Sequence, residues 1–153
     1  TKTYLGVIAG ASSVFFYSWN EGATNDTALS SRNMPGVVEN FRSLLGELKA
    51  LNPVLASPNL AESPAIEPAV PRGFFACAKQ GAGGRSYLFI ASDLFKPATK
   101  TLVYPAAAGK TAALLRGPLL PGASSSLTFD AEGQAKLTLP PQGAGVYLLE
   151  SMP

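Results

Sequence analysis

Residues 10–26, GASSVFFYSWNEGATND, decide how this chain is read. A turn of small residues leads into Ser13–Ser18, SVFFYS, a β-branched and aromatic run without strict alternation. Such runs mark strands buried on both faces, as in parallel sheets covered by helices. Trp19, Asn20 and Glu21 follow at once, and a polar stretch continues to Pro35. Loops of that length inside compact domains tend to be functional or disordered. Upstream, Tyr4, Leu5, Val7 and Ile8 are spaced as in the last turns of a helix, with Gly10 as a left-handed cap.

Downstream, Pro35 suits a first helical turn. Val37, Phe41, Leu44, Leu48 and Leu51 then fall at steps of four and three, which predicts an amphipathic helix over 36–51 closed by Asn52-Pro53. Pro58, Pro64, Pro68 and Pro71 make 57–72 read as a segment linking two domains. Beyond it, strands are expected at 74–79, 86–92, 100–104, 111–116, 125–130, 134–139 and 145–150. Each is bounded by Gly, Pro, Asp or Ser, and FDAEGQAKLTL has the look of a hairpin turning at Asp130–Gly133. Short strands at this spacing predict an antiparallel β-sandwich.

Composition narrows the function. The chain has 153 residues, 46% of them hydrophobic and only 14% charged, so its surface is short of charge. A net charge of +2, with twelve Lys and Arg never adjacent, argues against nucleic acid as partner. There is no His, which removes His-dependent triads and the usual zinc-ligand spacings. Cys77 stands alone and reads as a small buried hydrophobe that reveals no compartment. The uncharged run Tyr4–Asn20, 17 residues broken by Gly10, Ser12 and Ser13, is short for a membrane span, and no signal peptide is evident. GAGG at 81–84 lies between strands, not at a helix start, so phosphate binding is not expected. The carboxylates are scattered, with no metal-ligand spacing, and no cofactor is implied.

The order of these pieces resembles the C-terminal end of a clan A glycoside hydrolase, a (β/α)8 barrel followed by a small sandwich domain. YLGVIAGASSVFFYSW is similar to the seventh helix and eighth strand of such barrels, and FRSLLGELKALNPVL to the eighth helix. RSYLFIASDLFKPATKTLVYP and LTLPPQGAGVYLLE are similar to strands of the accessory sandwich. The resemblance implies an α/β fragment over 1–56, the last β/α unit of a barrel, then the 57–72 connection and an all-β antiparallel sandwich over 73–153. It places Trp19 at the C-terminal end of a barrel strand, where barrel enzymes keep their active sites. There an aromatic face packs against the C–H face of a sugar while Tyr17, Asn20 and Glu21 bind its hydroxyls. Glu21 is not at a position where this family keeps a catalytic carboxylate. The hydrolytic pair follows strands four and seven, so the resemblance implies no catalytic residue here and a carbohydrate substrate cleaved by groups outside the chain.

One strand and two helices cannot close a barrel. The reading therefore expects a second polypeptide, or a missing N-terminal segment, to supply strands one to seven; that the chain begins with Thr1 and not Met fits this expectation. Two other readings stay open. One is a non-catalytic carbohydrate-binding sandwich with an N-terminal helical appendage. The other is an N-terminal nucleophile hydrolase in which the Thr1 amine serves as base, although Thr1 opens a helical pattern where a strand would be needed.

Overall fold

The computed structural model describes residues 2–11, 35–68, 73–116 and 124–150. Two compact units are distinguished, one made of 1–12 with 53–153 and the other of 13–52.

The larger unit is built of antiparallel strands. In chain order these are β1 (Ala65–Glu67), β2 (Phe74–Gln80), β3 (Ser86–Ser92), β4 (Ala98–Val103), β5 (Thr111–Arg116), β6 (Ser126–Thr128), β7 (Gln134–Leu139) and β8 (Ala144–Leu149). They form a five-stranded sheet, β2-β3-β8-β5-β6, and a three-stranded one, β1-β4-β7. Period-two alternation explains the core between them. Leu88, Ile90, Ala112, Leu127, Tyr147 and Leu149 come from the larger sheet and meet Leu102, Ala135, Leu137 and Leu139 from the smaller. On β7 the alternation is plain, with Ala135, Leu137 and Leu139 buried and Gln134 and Lys136 exposed.

β3 and β8 do not alternate. Phe89 is as fully buried as Leu88 and Ile90 beside it, and Val146 is as buried as Tyr147. Cys77, Phe89 and Val146 stand side by side across β2, β3 and β8 on the face turned away from the core. Helix α1 (Lys2–Ile8) covers that face, lying on β2 and β3. Its Tyr4 and Val7 are each 2% exposed, and the Tyr4 ring sits 6.4 Å from that of Phe89 at 36°. Burying two such side chains contributes about 1.5–3 kcal/mol each. The helix ends at Gly10, φ +97°, with its N–H on Val7 O at 3.0 Å.

This arrangement corrects the expected fold class. The described residues form no β/α unit of a (β/α)8 barrel: every described strand pair is antiparallel, and the described residues hold more strand than helix. The physical reason lies in α1, whose apolar residues are spent on the sandwich sheet and not on a parallel barrel. SVFFYS, expected as a barrel strand, lies outside the described residues.

Three smaller differences follow from local chemistry. β1 sits inside the Pro-rich stretch expected as a connection, pairs with β4 and sends Ile66 against the core. Helix α2 (Pro35–Leu55) begins at the expected proline but runs through Pro53 into its last turn. Phe41, Leu44 and Leu48 on α2 are half-buried and Leu51 is buried, as the stripe predicts. The exposed Arg42–Glu39 pair on that helix, at 3.8 Å, adds little.

The third difference concerns β6 and β7, which do not pair as a hairpin, since they belong to different sheets. The turn itself is present: Asp130 Oδ1 accepts from the N–H groups of Glu132 and Gln134, at 3.1 and 2.7 Å. It carries the chain across the core from one sheet to the other.

Gly133 makes that crossing possible. It has φ +75°, and a Cβ there would stand 2.6 Å from Tyr104 O. Gly109 has nearly the same φ, +70°, but open space around it. Gly109→Ala should therefore cost about 1–2 kcal/mol from conformation alone, and Gly133→Ala clearly more. Urea unfolding of both variants checks the order; equal losses would contradict the crossing geometry.

Candidate functional site

Tyr17, Trp19, Asn20 and Glu21, the residues expected to hold sugar, lie outside the described residues. Thr1 does too. Among the described residues, no three of His, Cys, Asp or Glu gather as metal ligands. No described helix is long and apolar enough to cross a membrane. What the fold does build is two clusters of unusual chemistry, neither of which the sequence reading singled out.

The first lies beneath α1. Lys79 alternates onto the outward face of β2 with Cys77, and it is only 2% exposed. Its ammonium donates to Ser57 O at 2.6 Å, just past the C-terminal end of α2, where the helix dipole favours a cation. Around it the chain is tied to the β2 edge. Asn59 bridges to Lys79 in antiparallel fashion, and Leu60 N–H donates to Ala78 O at 2.7 Å. The Asn59 side chain donates in turn to Ile8 O, the last carbonyl of α1, at 3.1 Å. Lys79 and Asn59 thus anchor α1 and the segment after α2 to one strand. A buried lysine in an alternating strand leaves little trace in sequence, because its spacing matches any surface lysine.

Burial pushes the Cys77 thiol up to about 11, against the opposing pull of the Lys79 charge. Such a thiol is a poor nucleophile at neutral pH, in keeping with its reading as a small hydrophobe. In the inner core, burial likewise raises the Tyr147 hydroxyl to about 12, and that hydroxyl donates to Ser124 O at 2.9 Å. Tyr104 is raised as well, by burial first and then by the charge of Glu62.

The second cluster sits at the end of the sandwich where β3 runs out. The loop 93–97, DLFKP, holds Phe95 at 83% exposure, well above Leu45 and Leu115 at 43%. The loop is nevertheless firmly held. Asp93 N–H donates to Gly73 O at 2.9 Å, Leu94 N–H to Ser92 Oγ at 3.2 Å, and Gln142 N–H to Leu94 O at 2.7 Å. Ser92 N–H reaches Gly143 O at 2.8 Å, so the loop before β8 is laced to the one after β3. Two local features are unfavourable by themselves. Gln142 has φ +49°, in the left-handed region, and Asp93 Oδ1 is shut from solvent with no hydrogen-bond partner among the described residues. The sequence signal was an aromatic set among Asp, Lys and Pro between two strands.

No family model and no curated protein sequence matches the chain. Thirteen chains of solved structures do match. One is the crystal structure of AmyP in complex with maltose, similar with a TM-score of 0.50 and 16% sequence identity. The match covers 82% of this chain and 22% of AmyP, so the chain spans about a fifth of that protein's length. The likeness is one of fold.

The raised thiol predicts an alkaline response. The folded chain holds the Cys77 proton that the unfolded chain begins to lose near its ordinary value of 9.0. The stability tied to this group is therefore complete below that pH and declines as pH rises towards about 11. Urea unfolding near pH 8 and about pH 10, under reductant, should show a loss in the wild type that Cys77→Ala reduces. An identical loss in both chains would contradict the burial of the thiol.

Proposed function

We propose that this chain is the accessory, non-catalytic part of a glycoside hydrolase, with the cleaving carboxylates on polypeptide outside it. One observation carries the reading: the two antiparallel sheets, with α1 laid across one of them, are similar over most of this chain to part of AmyP, a protein solved with maltose bound. The sequence resemblance to the C-terminal end of glycoside hydrolases points the same way.

In this reading the chain contributes contacts to sugar and leaves the chemistry to the rest of the enzyme. Trp19 supplies an apolar face for the C–H bonds of a pyranose, and Tyr17, Asn20 and Glu21 hydrogen-bond its hydroxyls. Recognition of this type needs little charge, in keeping with the 14% charged composition.

Trp19 is the only tryptophan, so its fluorescence reports on this site alone. Titration with maltose and a longer malto-oligosaccharide should shift or quench its emission. Calorimetry on Trp19→Ala should show affinity reduced by about tenfold, the loss of one aromatic stacking contact with its buried area. The chain alone should release no reducing sugar. An unresponsive Trp19, with binding unchanged in Trp19→Ala, would sink the assignment of that residue; hydrolysis by the chain alone would sink the non-catalytic role.

A further inference from the structure

We propose that the β3–β4 loop carries a second sugar-contact site, in which Phe95 is the stacking platform for a hexopyranose. The proposal rests on the carbohydrate reading above and adds a site on the sandwich itself, remote in sequence from Trp19.

Nothing in folding requires Phe95 to stand where it does. Its neighbour Leu94 packs against the core, while Phe95 keeps 83% of its surface in water. The loop is short and pinned at Asp93, Leu94 and, through Leu94 O, Gln142. The backbone that presents the ring is thus ordered in advance, and little conformational freedom remains to be lost on binding. Next to it the structure tolerates two costly arrangements, the left-handed Gln142 and the enclosed Asp93 oxygen. Unfavourable local geometry of this kind collects at ligand-contacting sites.

The surroundings decide which ligand suits the ring. A protein-docking hot spot sits inside a ring of other apolar contacts that exclude water. In the loop of Phe95, Leu94 is turned to the core, and the exposed neighbours are Lys96 and the small ring of Pro97. Across the laced loops Pro141 and Gln142 are exposed. An exposed aromatic ring on a loop that also carries Lys96, with Gln142 on the loop laced to it, suits a pyranose, which offers one C–H face and a rim of hydroxyls. It matches an extended apolar surface poorly.

The test uses the full chain, isotopically labelled and titrated with maltose and maltoheptaose. Amide resonances of Leu94, Phe95, Lys96 and Gln142 should shift together. Phe95→Ala should weaken that response by about tenfold, and Phe95→Trp should keep it. Because Phe95 is exposed, both variants should melt with the wild type. Sugar-induced shifts confined to other residues, unchanged in Phe95→Ala, would overturn this site and leave the carbohydrate reading intact. No response to either sugar anywhere in the chain would overturn both.

Discussion

A sheet whose central strands are apolar on both faces cannot leave one face in water, and the rest of this unit follows from that constraint. β3 carries Leu88 and Ile90 inwards and Phe89 outwards, all fully buried, and Val146 on β8 adds to the outward side. The inward face is met by the three-stranded sheet. The outward face is met by α1, a helix of seven residues that would be marginal in isolation. Helix and sheet each supply what the other lacks. The anchoring by Asn59 and Lys79 acts in the same place, holding the end of α1 and the segment after α2 to β2.

The same constraint explains where sequence reading succeeded and failed. Strands on the sandwich were legible because each is a short run between strong punctuation, so β2, β3, β5 and β7 fall within a residue of expectation. β1 was not, because three residues among prolines carry no periodicity and gain their pairing only from β4. The fold class was misread for a related reason. A helical spacing at Tyr4–Ile8 says which residues are apolar together and says nothing about what covers them. A barrel sheet and the back of a sandwich sheet ask the same of such a helix. Likewise the Asp130–Gly133 turn chemistry was legible, but a turn that joins two strands of one sheet and a turn that joins two sheets use the same residues.

Candidate sites were less legible than the fold. Tyr17, Trp19, Asn20 and Glu21 read as sugar contacts only through their place in an expected barrel, and they lie outside the described residues. Phe95 carries no mark in sequence, because an aromatic between two strands reads as part of a strand until its exposure is known. Nor does Lys79, because alternation gives a lysine at that position no mark of burial. In both cases the missing information is which side of a strand or loop faces solvent. That is settled by the second layer, here α1 and the three-stranded sheet, and by nothing local.

Hydrogen exchange at α1 tests the central claim most directly, because a helix so short is protected only if it is docked. The amides of Ala9, Gly10 and Ala11 donate to Leu5 O, Val7 O and Gly6 O, and Leu60 N–H to Ala78 O. If α1 completes the sandwich, these four amides exchange slowly, with protection lost together with that of Phe89 and Ile90 as urea is raised. Exchange of the α1 amides at the rate of an unstructured peptide, while β3 stays protected, would contradict the account.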